Sequence, residues 1–382
     1  MNIALVTETY SPEVNGVAMT LSRLVSGLGS RGHKLTVIRP RQQGEALSGP
    51  RIHNANTGFD QWLVTGWPIP FYNSLRVGMP ASGMLRERWS KNRPDVVHVA
   101  TEGPLGYSAL KAARVLGIPV ASSFHTNFHQ YGGHYGLSFG RNFALRYLRW
   151  FHNRTACTLV PTDEMAVKLA KQGFEKLAVL SRGVDARLFA PTKRSESLRK
   201  AWGASADEPV ILYVGRIAAE KNLGLAVEAY KAMRVIYPRT RFVLVGDGPL
   251  RAELELKNPE FVFAGTRRGE ELAAHFASAD VFLFASSTET FGNVVTEALA
   301  SGLVVAGYDY AALRQHVRNG INGFTAKFED KTAFILMAQE LMSRRADWPA
   351  IRAAARTTAQ AISWEVVVAQ FEAKLASIAK VR

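Results

Sequence analysis

The stretch Val281-Phe282-Leu283-Phe284-Ala285-Ser286-Ser287-Thr288-Glu289-Thr290-Phe291-Gly292-Asn293-Val294-Val295-Thr296-Glu297-Ala298-Leu299-Ala300-Ser301-Gly302 decides the fold. Its first four residues are an apolar run too short for an average helix and suited to a buried strand. A polar turn carrying Gly292 and Asn293 follows, and a helical pattern comes next. A strand that ends in a Gly-containing turn and opens a helix sets backbone N–H groups at the positive end of that helix, which makes an anion site. Glu289 precedes the turn and Glu297 lies within the helix, with seven residues between them. On spacing alone these are two solvated glutamates. With an anion at the turn, one carboxylate lies beside its far substituent and the other faces its near side.

The same alternation runs outward through the chain. Val210 to Val214 ends in Gly215-Arg216, with Glu220-Lys221-Asn222 beyond it and a helical pattern from Leu223 to Met233. Phe242 to Val245 ends in Gly246-Asp247-Gly248-Pro249, and Phe261 to Phe263 ends in Ala264-Gly265-Thr266-Arg267. Each strand is followed by Gly or a polar loop, so the binding edge faces one way. Arg216 and Lys221 put two cations on that edge. Singly they read as surface charges; beside a helix N-terminus they form a diphosphate clamp.

The N-terminal half shows the same pattern, with strands at Asn2 to Thr7, His33 to Ile38, Asp95 to Ala100 and Ile118 to Phe124. Strands alternating with helices give an α/β chain of parallel sheets covered by helices. The loop Glu8 to Val17 follows the first strand and carries Asn15-Gly16, either a plain turn or a point where backbone approaches a phosphate or sugar. It is not the G-x-G-x-x-G dinucleotide fingerprint. His125 falls at the carboxyl end of a strand, where side chains reach a ligand, although a lone histidine is as readily structural.

With 382 residues, the chain suits two domains better than one core. The boundaries expected are 1–192 for the N-terminal domain, 193–362 for the C-terminal one and 363–382 for a terminal amphipathic helix, with Pro191 to Ser195 as the linker. No apolar run approaches the roughly 20 residues that span a bilayer. The opening residues lack a basic n-region and read as a strand, so a cytoplasmic start is expected. The single cysteine, Cys157, rules out an intramolecular disulfide and a cysteine-rich metal site. No clustered His, Asp or Glu suggests a metal, and no cofactor is expected.

Net charge is +15, unevenly spread: residues 1–190 hold 22 Lys and Arg against 11 Asp and Glu. Such a surface suits a polyanion, either nucleic acid or an anionic membrane. From His129 to Arg154 the sequence is dense in aromatic and basic residues, including Tyr131, Arg141, Phe143, Arg146, Tyr147, Arg149 and Trp150. Two readings fit: an amphipathic helix on an anionic bilayer, or a core-facing helix with a solvated basic face.

Taken together and in order, Glu289 to Glu297 as an E-x7-E motif, Gly215-Arg216 with Glu220-Lys221-Asn222, Gly246-Asp247-Gly248-Pro249 and Asn15-Gly16-Val17 resemble the GT-B retaining glycosyltransferases of family 4. The resemblance covers nearly the whole chain. It implies two Rossmann-like domains with parallel sheets facing a central cleft, and a sugar nucleotide held mainly by the C-terminal domain. By position, Arg216 and Lys221 would bind the diphosphate, Glu297 the ribose hydroxyls and Glu289 the hydroxyls of the transferred sugar. Backbone N–H groups of Phe291, Gly292, Asn293 and Val294 would contact sugar and phosphate, Gly16 would lie near the diphosphate and His125 near the sugar. Thr266 and Arg267 would lie by the base. His125, Arg216, Lys221 and Glu289 are the expected catalytic set. The family's last helix crosses back to the N-terminal domain, which suits Trp364 to Leu375.

The stretch Phe124 to Tyr131, with the loop Glu8 to Val17, is most similar to bacterial members that make membrane glycolipids, including diacylglycerol glucosyltransferases, and to GDP-mannose-dependent mannosyltransferases. The expectation is transfer of a hexose from UDP-glucose or a similar nucleotide sugar to a membrane lipid acceptor, diacylglycerol, at the inner face of the cytoplasmic membrane. The alternative is a GDP-mannose-dependent α-mannosyltransferase acting on a lipid or saccharide. A basic nucleic-acid-binding protein would account for the charge but not for the clamp and the paired glutamates, and a sugar phosphorylase or epimerase is the nearer rival.

Overall fold

The computed structural model of the chain describes residues 1–11, 13, 15–42, 45, 51–54, 59–69, 72–125, 138–289 and 291–380. They form two compact units, one of Met1–Arg182 with Trp364–Arg382, the other of Gly183–Ser363. The division falls ten residues ahead of the 192/193 boundary. Pro191–Lys193 is a 3-10 turn within the second unit, where Val184 bridges Ser363 and Phe189 packs edge-on against Phe276 at 5.6 Å.

In the first unit, strands β1 (Asn2–Val6), β2 (Lys34–Pro40), β3 (Arg51–Asn54) and β4 (Phe59–Val64) are followed by the hairpin pair β5 (Gly66–Ile69) and β6 (Tyr72–Gly78), then β7 (Val96–Val99), β8 (Val120–Ser123), β9 (Cys157–Val160) and β10 (Leu177–Val179). Eight of these form one sheet in the order β10-β9-β8-β7-β1-β2-β4-β3, parallel throughout except for β3, which runs antiparallel along β4 at the edge. The strands β1 and β7 are apolar runs because both faces are covered. The sheet reverses direction of growth at β1, which pairs β2 on one side and β7 on the other, with Leu5 opposite Val37 and His98.

The helix Gly16–Ser30 covers one face, buried through Leu21, Leu24, Val25 and Leu28. The last helix, Trp364–Ala379, packs there too, its Val367, Val368, Phe371, Leu375 and Ile378 sharing a core with Ile3, Leu21 and Val25. The approach is close: a Cβ on Gly27 would fall 2.5 Å from Val368 Cγ2. Outside this core, Glu372 accepts from Arg31 and lies 2.6 Å from His33 Nε2.

The second unit holds β11 (Val210–Val214), β12 (Arg241–Val245), β13 (Val262–Gly265), β14 (Val281–Phe284), β15 (Val304–Tyr308) and β16 (Phe324–Ala326). They form a parallel sheet in the order β13-β12-β11-β14-β15-β16. This is the doubly wound order, in which the chain changes direction between the first strand, β11, and the fourth, β14. The crevice at the carboxyl ends of those two strands is where such sheets bind ligands, and the loops after β11 and β14 carry the motif residues.

Candidate functional site

In the second unit, β11 delivers Gly215 and Arg216, and a 3-10 turn, Ala219–Lys221, brings Lys221 back over the sheet edge. Its ammonium pairs with the Glu289 carboxylate, delivered by β14. Both side chains are largely covered, at 19% and 15% exposure, so the pair is only partly screened by water. The Ser286 hydroxyl donates to the same Glu289 oxygen at 2.9 Å, and Tyr310 OH donates to the Glu289 carbonyl at 2.9 Å. Thr288 Oγ1 donates to the Glu220 carbonyl at 3.1 Å, which ties the β14 loop to the β11 turn. Arg216, at 64% exposure, pairs with Glu220.

The helix Asn293–Ala300 starts directly from this loop. Gly292 is its N-cap at φ +93°, a left-handed conformation that favours glycine, and among the described residues no side chain caps the helix. The positive helix end therefore opens beside Lys221 and Glu289. Phe291, fully buried, anchors the turn against His316. The Glu297 residue is half-buried, and its side chain forms no hydrogen bond or ion pair with the described residues; burial pushes its carboxyl up to about 7. The β11 and β12 loops are pressed together, since a Cβ on Gly246 (φ +139°) would lie 1.9 Å from the Gly215 carbonyl oxygen. Thr266 and Arg267 are exposed after β13, at the same sheet edge but two strands from β11, and Arg267 pairs with Glu271 at 3.6 Å. Arg216, Lys221, Glu289, Phe291, Gly292, Asn293, Val294 and Glu297 are thus gathered around one switch point, and Thr266 and Arg267 stand apart from it.

The first unit gathers Gly16, His125 and a residue that the sequence reading passed over, Arg182. Gly16 is the first residue of its helix, and a Cβ there would sit 3.1 Å from Arg182 Nη1. His125 and Arg182 line one small cavity with Thr20, Ser123 and Pro161. Neither ring nitrogen of His125 meets a hydrogen-bond partner among the described residues. Burial, with the Arg182 charge second, pushes the imidazole down to about 3, so it is neutral at ordinary pH. Arg182 could have been suspected from its sequence position, a cation just after an apolar strand at the carboxyl edge. Nearby, His152 is fully buried between Ser122 Oγ and Glu102 Oε1, both at 2.9 Å, an internal network that fixes the end of the helix Ser138–His152.

Tyr131 lies outside the described residues. Arg141, Phe143, Arg146, Tyr147, Arg149 and Trp150 all fall on the helix Ser138–His152. Leu148 and Phe151 face the core, while Phe143 is 76% exposed and Arg146 is exposed. Tyr147 donates to the Glu102 carbonyl at 2.6 Å, and Arg149 reaches the Gln172 carbonyl at 3.2 Å. Trp150 stacks on Tyr107 at 5.8 Å, with the Arg154 guanidinium 4.2 Å from its ring centre. One side of this helix enters the core and an aromatic–basic side faces solvent, as in the core-facing reading. Among the described residues no group of His, Cys, Asp or Glu is placed to hold a metal ion, and no helix is long and apolar enough to cross a membrane.

Two doubly wound parallel sheets, with a lysine and two glutamates at the switch point of the second, are the arrangement of a GT-B glycosyltransferase. The chain belongs to glycosyltransferase family 4: residues 14–188 match the family model described as Glycosyltransferase Family 4, and residues 208–344 match Glycosyl transferases group 1. It is 33% identical over 369 residues to a GDP-mannose-dependent alpha-mannosyltransferase of Mycobacterium tuberculosis, covering 92% of this chain and 94% of that one. It is also 29% identical over 346 residues to alpha-monoglucosyldiacylglycerol synthase of Acholeplasma laidlawii, covering 84% of each. Among solved structures, HepE of Anabaena in complex with UDP aligns with a TM-score of 0.76 at 17% identity, covering 99% of this chain and 100% of that one. The protein is a hexosyltransferase.

Proposed function

We propose that the protein transfers mannose from GDP-mannose, with retention of anomeric configuration, to an acceptor presented at a membrane surface. The observation that carries this reading is the Lys221–Glu289 pair beside the uncapped terminus of helix Asn293–Ala300. When the nucleoside diphosphate departs, charge develops on the phosphate oxygens. Lys221, Arg216 and the open helix terminus supply positive charge there, once the bound diphosphate has drawn the two side chains from Glu289 and Glu220. Glu289 accepts hydroxyls of the transferred sugar, and Glu297, which needs a hydrogen-bond donor, takes the ribose hydroxyls. The acceptor hydroxyl attacks from the face the leaving group vacates and passes its proton to the departing phosphate. His125, held neutral, orients and polarises instead of acting as the base.

GDP-mannose takes precedence over the UDP-glucose expected from the sequence because the relative matched over nearly the whole chain bears that name. A second reading, glucosyl transfer to diacylglycerol, is favoured by the Acholeplasma relative. A membrane-borne acceptor suits both, given exposed Phe143, Arg146 and Trp150 on a unit rich in positive charge. Thermal denaturation with GDP-mannose, UDP-glucose and the free nucleotides, followed by mass analysis of products formed on membrane lipids, tests it. GDP-mannose should raise the melting temperature and yield a product heavier by one hexose. Stabilisation by UDP-glucose alone would replace this reading with the second.

A further inference from the structure

A cavity of about 390 Å³ lies in the second unit at the carboxyl ends of β11, β14, β15 and β16, a volume that suits a small-molecule ligand. It is not the crevice of Lys221 and Glu289. Tyr308, at the end of β15, belongs to the core under the helices Leu223–Ile236 and Lys331–Ser343, whereas Phe291 and Val295 of the anion turn belong to the core on the other face of the sheet. The two sites share a wall, where Thr288 Oγ1 donates to the Glu220 carbonyl at 3.1 Å.

The cavity collects polar groups that the fold leaves unused. Tyr308 is only 2% exposed, and its ring is fixed by Phe334 at 4.9 Å and Phe328 at 5.9 Å. Its hydroxyl meets no hydrogen-bond partner among the described residues, a costly state for so covered a group unless a ligand supplies one. Burial, then the Asp330 and Glu329 carboxylates, raise the phenol, so it stays neutral and both donates and accepts. The Ser287 hydroxyl and the Asn222 carboxamide line the same cavity, again with no side-chain hydrogen bond to the described residues, and neither Glu329 nor Lys331 forms an ion pair with them. Asn222 and Glu329 also both stand at positive φ, +53° and +62°, a left-handed conformation that few non-glycine residues adopt and that gathers at binding sites.

These groups select the ligand. Glu220 and Glu329 against Lys331 leave no surplus of positive charge for a phosphate, and Glu220 is already paired with Arg216. Among the described residues no group of carboxylates is placed to hold a metal ion. Phenol, hydroxyl and carboxamide each donate and accept, as does every hydroxyl of a sugar. The geometry points to a second saccharide-binding site, separate from the transfer site, in which Tyr308, Ser287 and Asn222 hydrogen-bond the hydroxyls of a neutral sugar flanked by Glu329 and Lys331. The sugar is supplied either free or as part of a glycan acceptor. Its binding requires neither a nucleotide nor transfer.

Calorimetric titration of methyl α-mannoside, methyl α-glucoside, α-mannobiose and maltose into wild type, Tyr308→Phe, Ser287→Ala and Glu289→Gln tests it, with inorganic phosphate as the anionic control. At least one saccharide should bind wild type, about fivefold more weakly to Tyr308→Phe, and equally to wild type and Glu289→Gln, while phosphate affinity and melting temperature do not change between wild type and Tyr308→Phe. Should Tyr308→Phe fail to fold, Ser287→Ala must show the same loss. Absence of binding by all four sugars at tens of millimolar would overturn the inference, as would affinity that falls in Glu289→Gln and holds in both Tyr308→Phe and Ser287→Ala, since the sugar would then sit in the transfer site. In the transfer assay, the bound saccharide competing with the acceptor in wild type but not in Tyr308→Phe assigns the site to the acceptor's own sugars; a rate changed without competition, again only in wild type, assigns it to a free saccharide. Failure to bind GDP or GDP-mannose would overturn the proposed transfer and leave the saccharide titrations standing.

Discussion

Glu289→Gln should tighten binding of GDP while nearly abolishing transfer. Lys221 is bound to the Glu289 carboxylate, so a diphosphate must draw the ammonium away from a covered partner and tolerate a second negative charge beside it. Glutamine keeps the side-chain shape and an oxygen for the Ser286 hydroxyl, but removes the charge. A hydrogen bond to a charged group contributes about 1.5–3 kcal/mol in partly buried settings. The diphosphate replaces much of that interaction, so the net gain is about 1 kcal/mol, near a fivefold fall in Kd. Transfer should fall about a hundredfold, as expected for loss of a charged contact to the reacting sugar. Isothermal titration with GDP and a product assay under saturating nucleotide sugar measure the two effects. Weaker GDP binding in Glu289→Gln, with Lys221→Gln unchanged from wild type, would refute the view that this pair is the anion site.

Other consequences are as direct. The Glu297 carboxyl is raised from 4.5 to about 7 by burial; the folded chain then binds more protons than the unfolded one across that window, so its contribution to stability is present at low pH and lost as pH rises towards 7. Glu297→Gln should raise the urea midpoint at pH 8 and leave it unchanged at pH 4. His125 has the opposite sign, being lowered from 6.5 to about 3, so its contribution grows as pH rises through that interval and His125→Gln should flatten the acid limb of the stability curve. Gly246→Ala places a Cβ 1.9 Å from a carbonyl oxygen at positive φ and should cost about 2–3 kcal/mol by urea unfolding. Phe143→Ser combined with Arg146→Gln removes exposed side chains and should reduce flotation with anionic vesicles severalfold at low salt, with melting temperature unchanged.

The sheets were legible because their strands are short apolar runs that end in Gly or polar loops, and the switch point followed from where Arg216, Lys221 and Glu289 fall along them. Side-chain competition was not legible. Lys221 and Glu289 were assigned to different parts of a ligand, yet they satisfy each other, and only three dimensions show two residues 68 positions apart in contact. The two Asn–Gly elements show why the rest was hidden. Asn15 precedes its glycine and closes the helix behind it, whereas Gly292 precedes Asn293 and leaves the helix open. In sequence both are polar turns before a helix; the order of the two residues decides whether the first backbone N–H groups stay available to an anion. At Gly292 they do. At Gly16 the Asn15 side chain already accepts from two of those groups, Val17 N–H and Ala18 N–H.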